Sequence, residues 1–292
     1  MIKYVYIRKV FMTHLNMSNI IHDARVISIY RPPGSREHAF VRSHLTSRLM
    51  MLGMECECQK FMDLIRNDGR DELREFTNII ARNPRNDINQ GMITLGAHYD
   101  SAWLPRMPAS IDAAVSCAVI LELTRVLLAY NQSANIMIVF FDGEETQVGE
   151  GNHHEGIEWD TSNALYGSKY FVNNFDLNLI THFYLLDLWG GTKGENGDAC
   201  RFLSNSREMV ELYKINKEIF PQNIIYMPVK LPLRIMDDHV PLREKGVEVT
   251  ELIAWAFPCQ WHKVCCDTIN NVDWSRVYIA AGVLLKRLIM VC

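Results

Sequence analysis

Two adjacent glutamates, Glu144 and Glu145, directly follow a short apolar run and could carry chemistry. Residues 136–141 are mostly β-branched or aromatic, and Asp142 and Gly143 end the run, which is typical of a central strand buried on both faces. In an open α/β sheet, ligands bind beyond the carboxyl ends of the strands. Neighbouring side chains on an extended or turning segment point in different directions, so one acid could hold a metal while the other moves protons. A solvated acidic turn is the alternative.

More side chains of the metal-binding types follow other predicted strands. They are His98, Asp100, Asp112, Asp187 and His262. Taken singly each is a weak signal, because a lone histidine such as His262 is more often a partly buried structural residue. Four strand ends that each supply such a side chain are hard to explain as surface chemistry. Imidazole nitrogen and carboxylate oxygen together suit zinc and leave a position open for catalysis, so the pattern predicts a zinc site.

The elements that would position these residues alternate between helix and strand. Strands are predicted at residues 55–62, 75–82, 92–97, 136–141, 182–188 and 247–254, and helices at residues 36–53, 113–130, 165–174, 206–220 and 274–288. Ser35 and Asp273 can cap two of these helices. The alternation predicts an α/β fold with a single open, largely parallel twisted sheet and helices on both faces. Residues 25–292 are predicted to form one catalytic domain. Residues 1–24 have no clear period and are predicted to be an arm that is at most partly ordered.

The composition excludes several classes of protein. The chain has 292 residues, of which 48% are hydrophobic and 22% charged, an ordinary globular balance. A formal charge of −4 and the lack of a basic block argue against nucleic acid as the main partner. A membrane span needs about 18 or more consecutive apolar residues, and no such run occurs. The N-terminus shows no secretory signal, which favours the cytoplasm, and the eight cysteines are predicted to be mostly reduced.

Seven short motifs, in order along the chain, resemble animal-type glutaminyl-peptide cyclotransferases (glutaminyl cyclases), which belong to the zinc-aminopeptidase-like, M28-type superfamily. The motifs are H-Y-D-S at 98–101, D-A-A-V-S-C-A at 112–118, F-F-D-G-E-E at 140–145, L-Y-G-S at 165–168, L-L-D-L at 185–188, D-D-H-V-P at 237–241 and F-P-C-Q-W-H at 257–262. The resemblance runs from about residue 30 to the C-terminus. It implies the zinc-exopeptidase-like version of the predicted α/β sandwich.

The resemblance also implies functions for nine side chains. They are the zinc ligands Asp112, Glu145 and His262, the catalytic acids Glu144, Asp187 and Asp237, and the substrate-pocket residues Trp159, Phe257 and Trp261. Glu144 would be the general acid/base, with Asp187 and Asp237 as a hydrogen-bonded acidic pair beside it. The implied reaction closes an N-terminal glutamine of a peptide or protein to pyroglutamate and releases ammonia, with one zinc ion per chain. We expect a monomer, and the resemblance suggests the secretory pathway although the sequence shows no signal.

The sequence departs from the resemblance at several positions. Ala97 and Cys117 stand where secreted members carry a linked cysteine pair, so that bridge cannot form. The loop at residues 146–158 looks lengthened, and Met236 replaces a residue that is usually polar. Two other functions remain open. A zinc aminopeptidase of the same superfamily would use His98 and Asp187 as ligands for a second metal, and a non-catalytic binding protein would have lost a ligand or the acid.

Overall fold

The computed structural model of the chain describes residues 14–67, 70–87, 90–147, 160–194, 196–230 and 234–292. These residues form eight strands in one sheet and seven α-helices. The strands are β1 (Glu55–Asn67), β2 (Arg70–Arg82), β3 (Met92–His98), β4 (Ile136–Phe141), β5 (Ile180–Asp187), β6 (Arg201–Leu203), β7 (Tyr226–Met227) and β8 (Val249–Trp255). The helices are α1 (Met17–Ile27), α2 (Arg36–Met51), α3 (Val115–Tyr130), α4 (Tyr166–Asn174), α5 (Arg207–Ile219), α6 (His239–Glu244) and α7 (Trp274–Val291). None of these helices is both long and apolar enough to cross a bilayer.

The strands lie in the order β1-β2-β4-β3-β5-β8-β6-β7. The pairs β4–β3, β3–β5, β5–β8 and β6–β7 are parallel, whereas β1–β2, β2–β4 and β8–β6 are antiparallel. Only two residues separate β1 from β2, and so short a connection joins antiparallel strands. The predicted single open α/β sheet is therefore confirmed, as a mixed sheet whose four central strands are parallel.

The central strand β4 is buried along its whole length. Its alternate residues Ile136, Ile138 and Phe140 face a large core that also contains residues of α1, α2, α3, α5 and α7. The intervening residues of β4 face a smaller core formed with α4 and α6. Side chains on successive strand positions point to opposite faces, so a continuous apolar run is what a sheet covered on both sides requires. The prediction of helices on both faces is confirmed.

Helix α1 begins inside the segment that we predicted to be an arm, residues 1–24, and continues to Ile27. Ile20, Ala24 and Ile27 are buried in the large core at three- and four-residue steps. Asp23 on the same face is also buried, and its carboxylate contacts two side chains of α2, His44 Nε2 at 3.0 Å and Arg48 Nη2 at 3.1 Å. The buried aspartate interrupts the apolar period, which explains why the sequence pattern did not reveal this helix. Residues 1–13 of the predicted arm lie outside the described residues.

The four central parallel strands end at one edge of the sheet. His98 of β3 pairs with Phe141 of β4, and Asp187 of β5 pairs with Ile253 of β8. The strand register therefore brings the loops after β3, β4, β5 and β8 together.

Both helix caps predicted from the sequence are present. Ser35 Oγ accepts a hydrogen bond from the backbone N–H of residue 38, and Asp273 Oδ1 accepts hydrogen bonds from the backbone N–H groups of residues 275 and 276.

Candidate metal centre and active-site cavity

A cavity of about 220 Å³ lies at this edge of the sheet, beyond the carboxyl ends of the central strands. It is somewhat smaller than the pockets of about 300–1,000 Å³ that hold drug-sized ligands, as suits a single amino-acid residue. It is lined by Asp112, Glu144, Glu145, Asp187, Leu188, Arg234, Ile235, Met236, Asp237, Ile253, Phe257, Trp261 and His262. Eight of the nine side chains to which the resemblance assigns a function are in this lining. The ninth, Trp159, lies outside the described residues, as does most of the loop at residues 146–158.

The loop that carries Glu144 and Glu145 is fixed by the backbone around it. Gly143 has a φ of +67°, and a Cβ atom at this position would lie 2.5 Å from Phe76 Cε1, so the turn requires glycine. Residues 165–167, at the start of α4, donate backbone hydrogen bonds of 3.0, 2.9 and 2.8 Å to the carbonyls of residues 144, 143 and 142. The L-Y-G-S motif therefore holds the strand end that presents the two glutamates.

Asp100 holds the same loop from the opposite side. Its Oδ1 accepts the backbone N–H of Glu144 at 3.2 Å, and its Oδ2 accepts that of Glu145 at 3.3 Å. Asp100 Oδ1 also lies 3.5 Å from His98 Nδ1. One buried carboxylate thus ties the end of β3 to the end of β4. The sequence placed Asp100 among the metal-type residues, whereas in the structure it orients its neighbours.

Asp112, Glu145 and His262 converge on one point. His262 Nε2 lies 3.4 Å from Asp112 Oδ2 and 3.2 Å from Glu145 Oε2. Ligand atoms from all three residues lie within 4.8 Å of one another. Among the described residues, Asp112 Oδ2, Glu145 Oε1 and His262 Nε2 have no hydrogen-bond partner although they are buried. Buried polar atoms without partners are costly, and this donor set of two oxygens and one nitrogen is that of a catalytic zinc site, so the residues present fit a metal ion.

His98 forms a second cluster against the first. Its Nε2 lies 3.0 Å from Asp112 Oδ1 and 3.4 Å from Asp187 Oδ1. Burial favours the neutral ring, but hydrogen bonds to Asp100, Asp112 and Asp187 outweigh it and raise the pKa of His98 well above its usual value. His98, Asp112 and Asp187 could also hold a metal by their geometry. His98 thus bridges Asp112 and Asp187 by its Nε2 atom.

Glu144 belongs neither to the Asp112, Glu145 and His262 cluster nor to the His98 cluster, and it lines the same cavity. Burial chiefly, with the charges of Asp237 and Glu145, raises the pKa of Glu144 well above its usual value, against the opposing charge of His98. Burial likewise raises the pKa of Asp187 and of Asp237. Burial that raises the pKa of carboxyl groups in a cavity is a means by which proteins tune such groups for general acid–base catalysis.

An aromatic wall supports the histidine of the centre. The Trp261 ring stacks on His262 with the centroids 4.5 Å apart, and Phe257 packs against Trp261 at 4.7 Å. His262 has a φ of +53°, in the left-handed region that few residues other than glycine adopt. Strained backbone of this kind costs of order 1–3 kcal/mol and persists where the surroundings fix it, often at functional sites. The wall both orients His262 and closes one side of the cavity.

Arg31, which no local motif marks in the sequence, is the main support of the loop that carries Asp112. The guanidinium is fully buried, and all five of its N–H groups donate to backbone carbonyls at 2.7–3.4 Å. The accepting residues are Ile29, Tyr99, Pro108, Ala109 and Asp112. Arg31 therefore joins the chain after α1 to the end of β3 and to the loop before α3.

Replacing Arg31 by methionine should lower the free energy of unfolding by at least about 3 kcal/mol, because each buried carbonyl that loses its donor costs about 1–3 kcal/mol. The measurement is urea denaturation followed by far-UV circular dichroism. The exposed Arg25 of α1 provides the control, since a change from Arg25 to Met should stay within about 0.5 kcal/mol of wild type. A loss below about 1 kcal/mol for Arg31→Met would show that the five bonds contribute little.

Most of the cysteines are free thiols, as predicted. Cys117 is free, as expected opposite Ala97, and its Sγ donates to the His98 carbonyl at 3.1 Å. Cys265 and Cys266 form a disulfide, an exception that the prediction of mostly reduced cysteines allows. The two residues are adjacent in the turn that follows His262, and this turn brings their sulfur atoms together. The other six cysteines are free.

Comparisons with known proteins agree with this geometry. The sequence profile of Peptidase family M28 matches residues 78–286. A glutaminyl-peptide cyclotransferase-like protein of Mus musculus is 30% identical, and the alignment covers 89% of this chain and 72% of that protein. A glutaminyl-peptide cyclotransferase of Drosophila melanogaster is 27% identical, with 91% of this chain and 79% of that protein covered.

Solved structures share the fold. The glutaminyl cyclase of Macrostomum lignano superposes with a TM-score of 0.80 at 24% identity, covering 97% of this chain and 92% of that protein. A Zn-dependent exopeptidase from Parabacteroides distasonis superposes with a TM-score of 0.76 at 19% identity, covering 94% and 98%. At these identities the likeness concerns the architecture alone, and it matches the predicted zinc-exopeptidase-like sandwich.

Proposed function

The chain belongs to peptidase family M28, among its glutaminyl-peptide cyclotransferases, and we propose that it closes N-terminal glutamine to pyroglutamate with release of ammonia. The observation that carries the proposal is the set of buried, unpartnered atoms of Asp112, Glu145 and His262 beside the unligated Glu144 in one cavity. The substrates are peptides or proteins that begin with glutamine. The expected monomeric state remains a prediction.

We assign the metal ligands to Asp112, Glu145 and His262, and the metal to one zinc ion per protein molecule. Zinc held there would supply a Lewis acid that polarises the γ-carbonyl of the substrate. The imidazoles of His262 and His98 hold the pKa of Asp112 well below its usual value despite burial, so this ligand stays ionised. His98 Nε2 lies 3.0 Å from Asp112 and 3.4 Å from Asp187, so this histidine orients one of the proposed ligands from the side away from His262 Nε2.

Glu144 moves the proton of the reaction. It takes a proton from the α-amine as the amine nitrogen attacks the γ-carbonyl carbon, and it gives that proton to the departing amide nitrogen. The ring bond between the amine nitrogen and the γ-carbonyl carbon forms, the bond from that carbon to the amide nitrogen breaks, and ammonia leaves. Asp187 and Asp237 line the same cavity as Glu144, and burial raises the pKa of both, which supports the proposed acidic pair beside the general acid/base. A positioned acid/base of this kind contributes about 10²–10⁴-fold to the rate.

The aromatic residues hold the substrate and keep water out. Phe257 and Trp261 form one wall, and we propose that Trp159 completes the pocket, as the resemblance implies. Hydrolysis of the amide is the side reaction that an open site would allow, and a closed apolar wall suppresses it. Binding both reacting groups of one residue in a folded pose also makes the attack intramolecular.

We expect purified protein to release ammonia from a Gln-initiated peptide, with the peptide losing the mass of one ammonia. A chelator should stop the release and added zinc should restore it, because the ligand set Asp112, Glu145 and His262 needs a cation. The matched control is the same peptide with an acetylated N-terminus, whose blocked amine cannot attack. Failure to release ammonia from any zinc-loaded sample, with the acetylated and free peptides equally inert, would overturn the proposed function.

A zinc aminopeptidase is the second candidate, and the His98, Asp112 and Asp187 group favours it because two adjacent metal sites would then share Asp112. The two functions make different products. The aminopeptidase releases free amino acids from peptides of many N-terminal residues and binds two zinc ions per protein molecule. Amino-acid analysis of the reaction mixture together with elemental analysis of the protein separates the two candidates.

A further inference from the structure

Arg234 stands apart from the rest of the cavity lining. Among the described residues of this lining it is the sole lysine or arginine and the sole residue with an exposed side chain, at 70%. The deep end of the cavity is acidic, with Asp112 and Glu145 each 2% exposed and Asp237 4% exposed. Arg234 therefore marks the mouth of the cavity, and it places a positive charge there.

The partner of Arg234 holds it only weakly. Its Nη2 lies 3.3 Å from Glu244 Oε1, and the Glu244 side chain is 65% exposed. Ion pairs between such exposed groups contribute little to stability, because water screens the charges and the long side chains lose freedom on pairing. The guanidinium can thus exchange Glu244 for another carboxylate at almost no cost. Its planar donor groups suit a carboxylate in two-point contact.

A peptide whose N-terminal glutamine fills the cavity must leave through this mouth. The residues just after the glutamine therefore pass Arg234, which precedes the wall residues Ile235 and Met236 and the catalytic Asp237. We infer that Arg234 is a specificity-determining residue that favours substrates with aspartate or glutamate directly after the N-terminal glutamine. The inference rests on the proposed cyclisation and names the substrate class for the same site.

The test compares three peptides that differ only at the second residue, Gln-Glu, Gln-Ala and Gln-Lys, by ammonia release at low ionic strength. Exposed ion pairs of this strength change an equilibrium by about 1.5- to 5-fold, so we expect Gln-Glu to exceed Gln-Lys in kcat/KM by about 5-fold in the wild type. The difference should lie mainly in KM, because the contact is made equally in the ground and transition states. It should shrink when salt is raised to about 0.5 M, where exposed charges are screened.

Variants assign the preference to this residue. Arg234→Ala should remove the preference for Gln-Glu over Gln-Lys, and Arg234→Glu should reverse it. Glu244→Gln should increase the preference, because the carboxylate that competes for Arg234 is gone. The control is Arg82→Ala on the β1–β2 hairpin, where the half-buried Arg82 is paired with a glutamate, Glu57, at 3.4 Å. That variant should keep the wild-type order of the three peptides.

Two outcomes would overturn the inference, and they are distinguishable. Equal kcat/KM for the three peptides in wild type and in Arg234→Glu, with ammonia still released, would reject the role of Arg234 and leave the cyclisation intact. No ammonia from any of the three peptides, with zinc bound, would reject the proposed function and the inference with it. Arg234 and Glu244 are exposed, so their substitution should not unfold the protein, and circular dichroism of each variant checks this.

Discussion

Glu144→Gln is expected to abolish cyclisation of a Gln-initiated peptide while the metal content stays at the wild-type level. The amide has nearly the shape of the carboxyl group, so the cavity keeps its form, but it can neither accept the amine proton nor donate one to the leaving nitrogen. Loss of a positioned acid/base lowers kcat by about 10²–10⁴-fold. Because Glu144 lies outside the cluster of Asp112, Glu145 and His262, metal binding does not depend on it.

The experiment measures ammonia release and, by elemental analysis, the zinc in the same sample. A suitable control is Glu211→Gln on α5, the same chemical change at a half-buried glutamate outside the cavity that pairs with Lys214 at 2.6 Å. It should leave both measurements unchanged. A Glu144→Gln protein within a factor of about three of the wild-type rate would remove Glu144 from the proton transfer, since genuine acid/base residues contribute far more. Loss of zinc in this variant would instead place Glu144 among the ligands.

His262→Ala is expected to remove the metal and the activity together. The substitution deletes the nitrogen that lies within 3.4 Å of both carboxylate ligands, and it also deletes the ring on which Trp261 stacks. Mutating a group that only supports a ligand typically costs about 10–100-fold in metal affinity, so losing the ligand itself should cost more than about 100-fold. Elemental analysis after gel filtration should find almost no zinc in the variant.

Thermal unfolding gives a second measurement on His262→Ala. A ligand that binds only the folded state stabilises it by about 2.7 kcal/mol at 100 times its Kd, so zinc should raise the Tm of the wild type but not that of the variant. The exposed His22 of α1 supplies the control, because His22→Ala should keep the zinc-dependent Tm shift. Undiminished zinc in His262→Ala would show that the ligand set is wrong.

Much of the site could be predicted because its residues stand at strand ends. A buried strand such as β4 has to be apolar throughout, and the end of this apolar run predicts where the backbone turns and presents Glu144 and Glu145 to the cavity. Parallel strands bring their carboxyl ends to one edge, so His98, Asp187 and His262 could be expected near them. The order of the strands and the antiparallel β1–β2 hairpin depend on pairing between distant segments, which local patterns do not encode.

The residues that sequence reasoning missed act through tertiary contacts. Arg31 donates to backbone carbonyls, which every residue has, so its partners cannot be recognised from residue types in the sequence. Arg234 matters only because it lies at the mouth of a cavity whose other described walls are buried or half-buried. Asp23 broke the apolar period of α1 and concealed that helix, since its salt bridges with His44 and Arg48 form only when α1 packs on α2.

Asp112 and His262 are separated by 150 positions in the sequence, with Glu145 between them. His262 follows β8, and the pairing of β8 with β5 places this residue at the same edge of the sheet as the other two. A polypeptide that is truncated or incompletely folded thus cannot assemble the cluster. With the proposed ligand set, the zinc-to-protein ratio of a recombinant batch is expected to report the fraction of molecules that reached the native state, before any substrate is added.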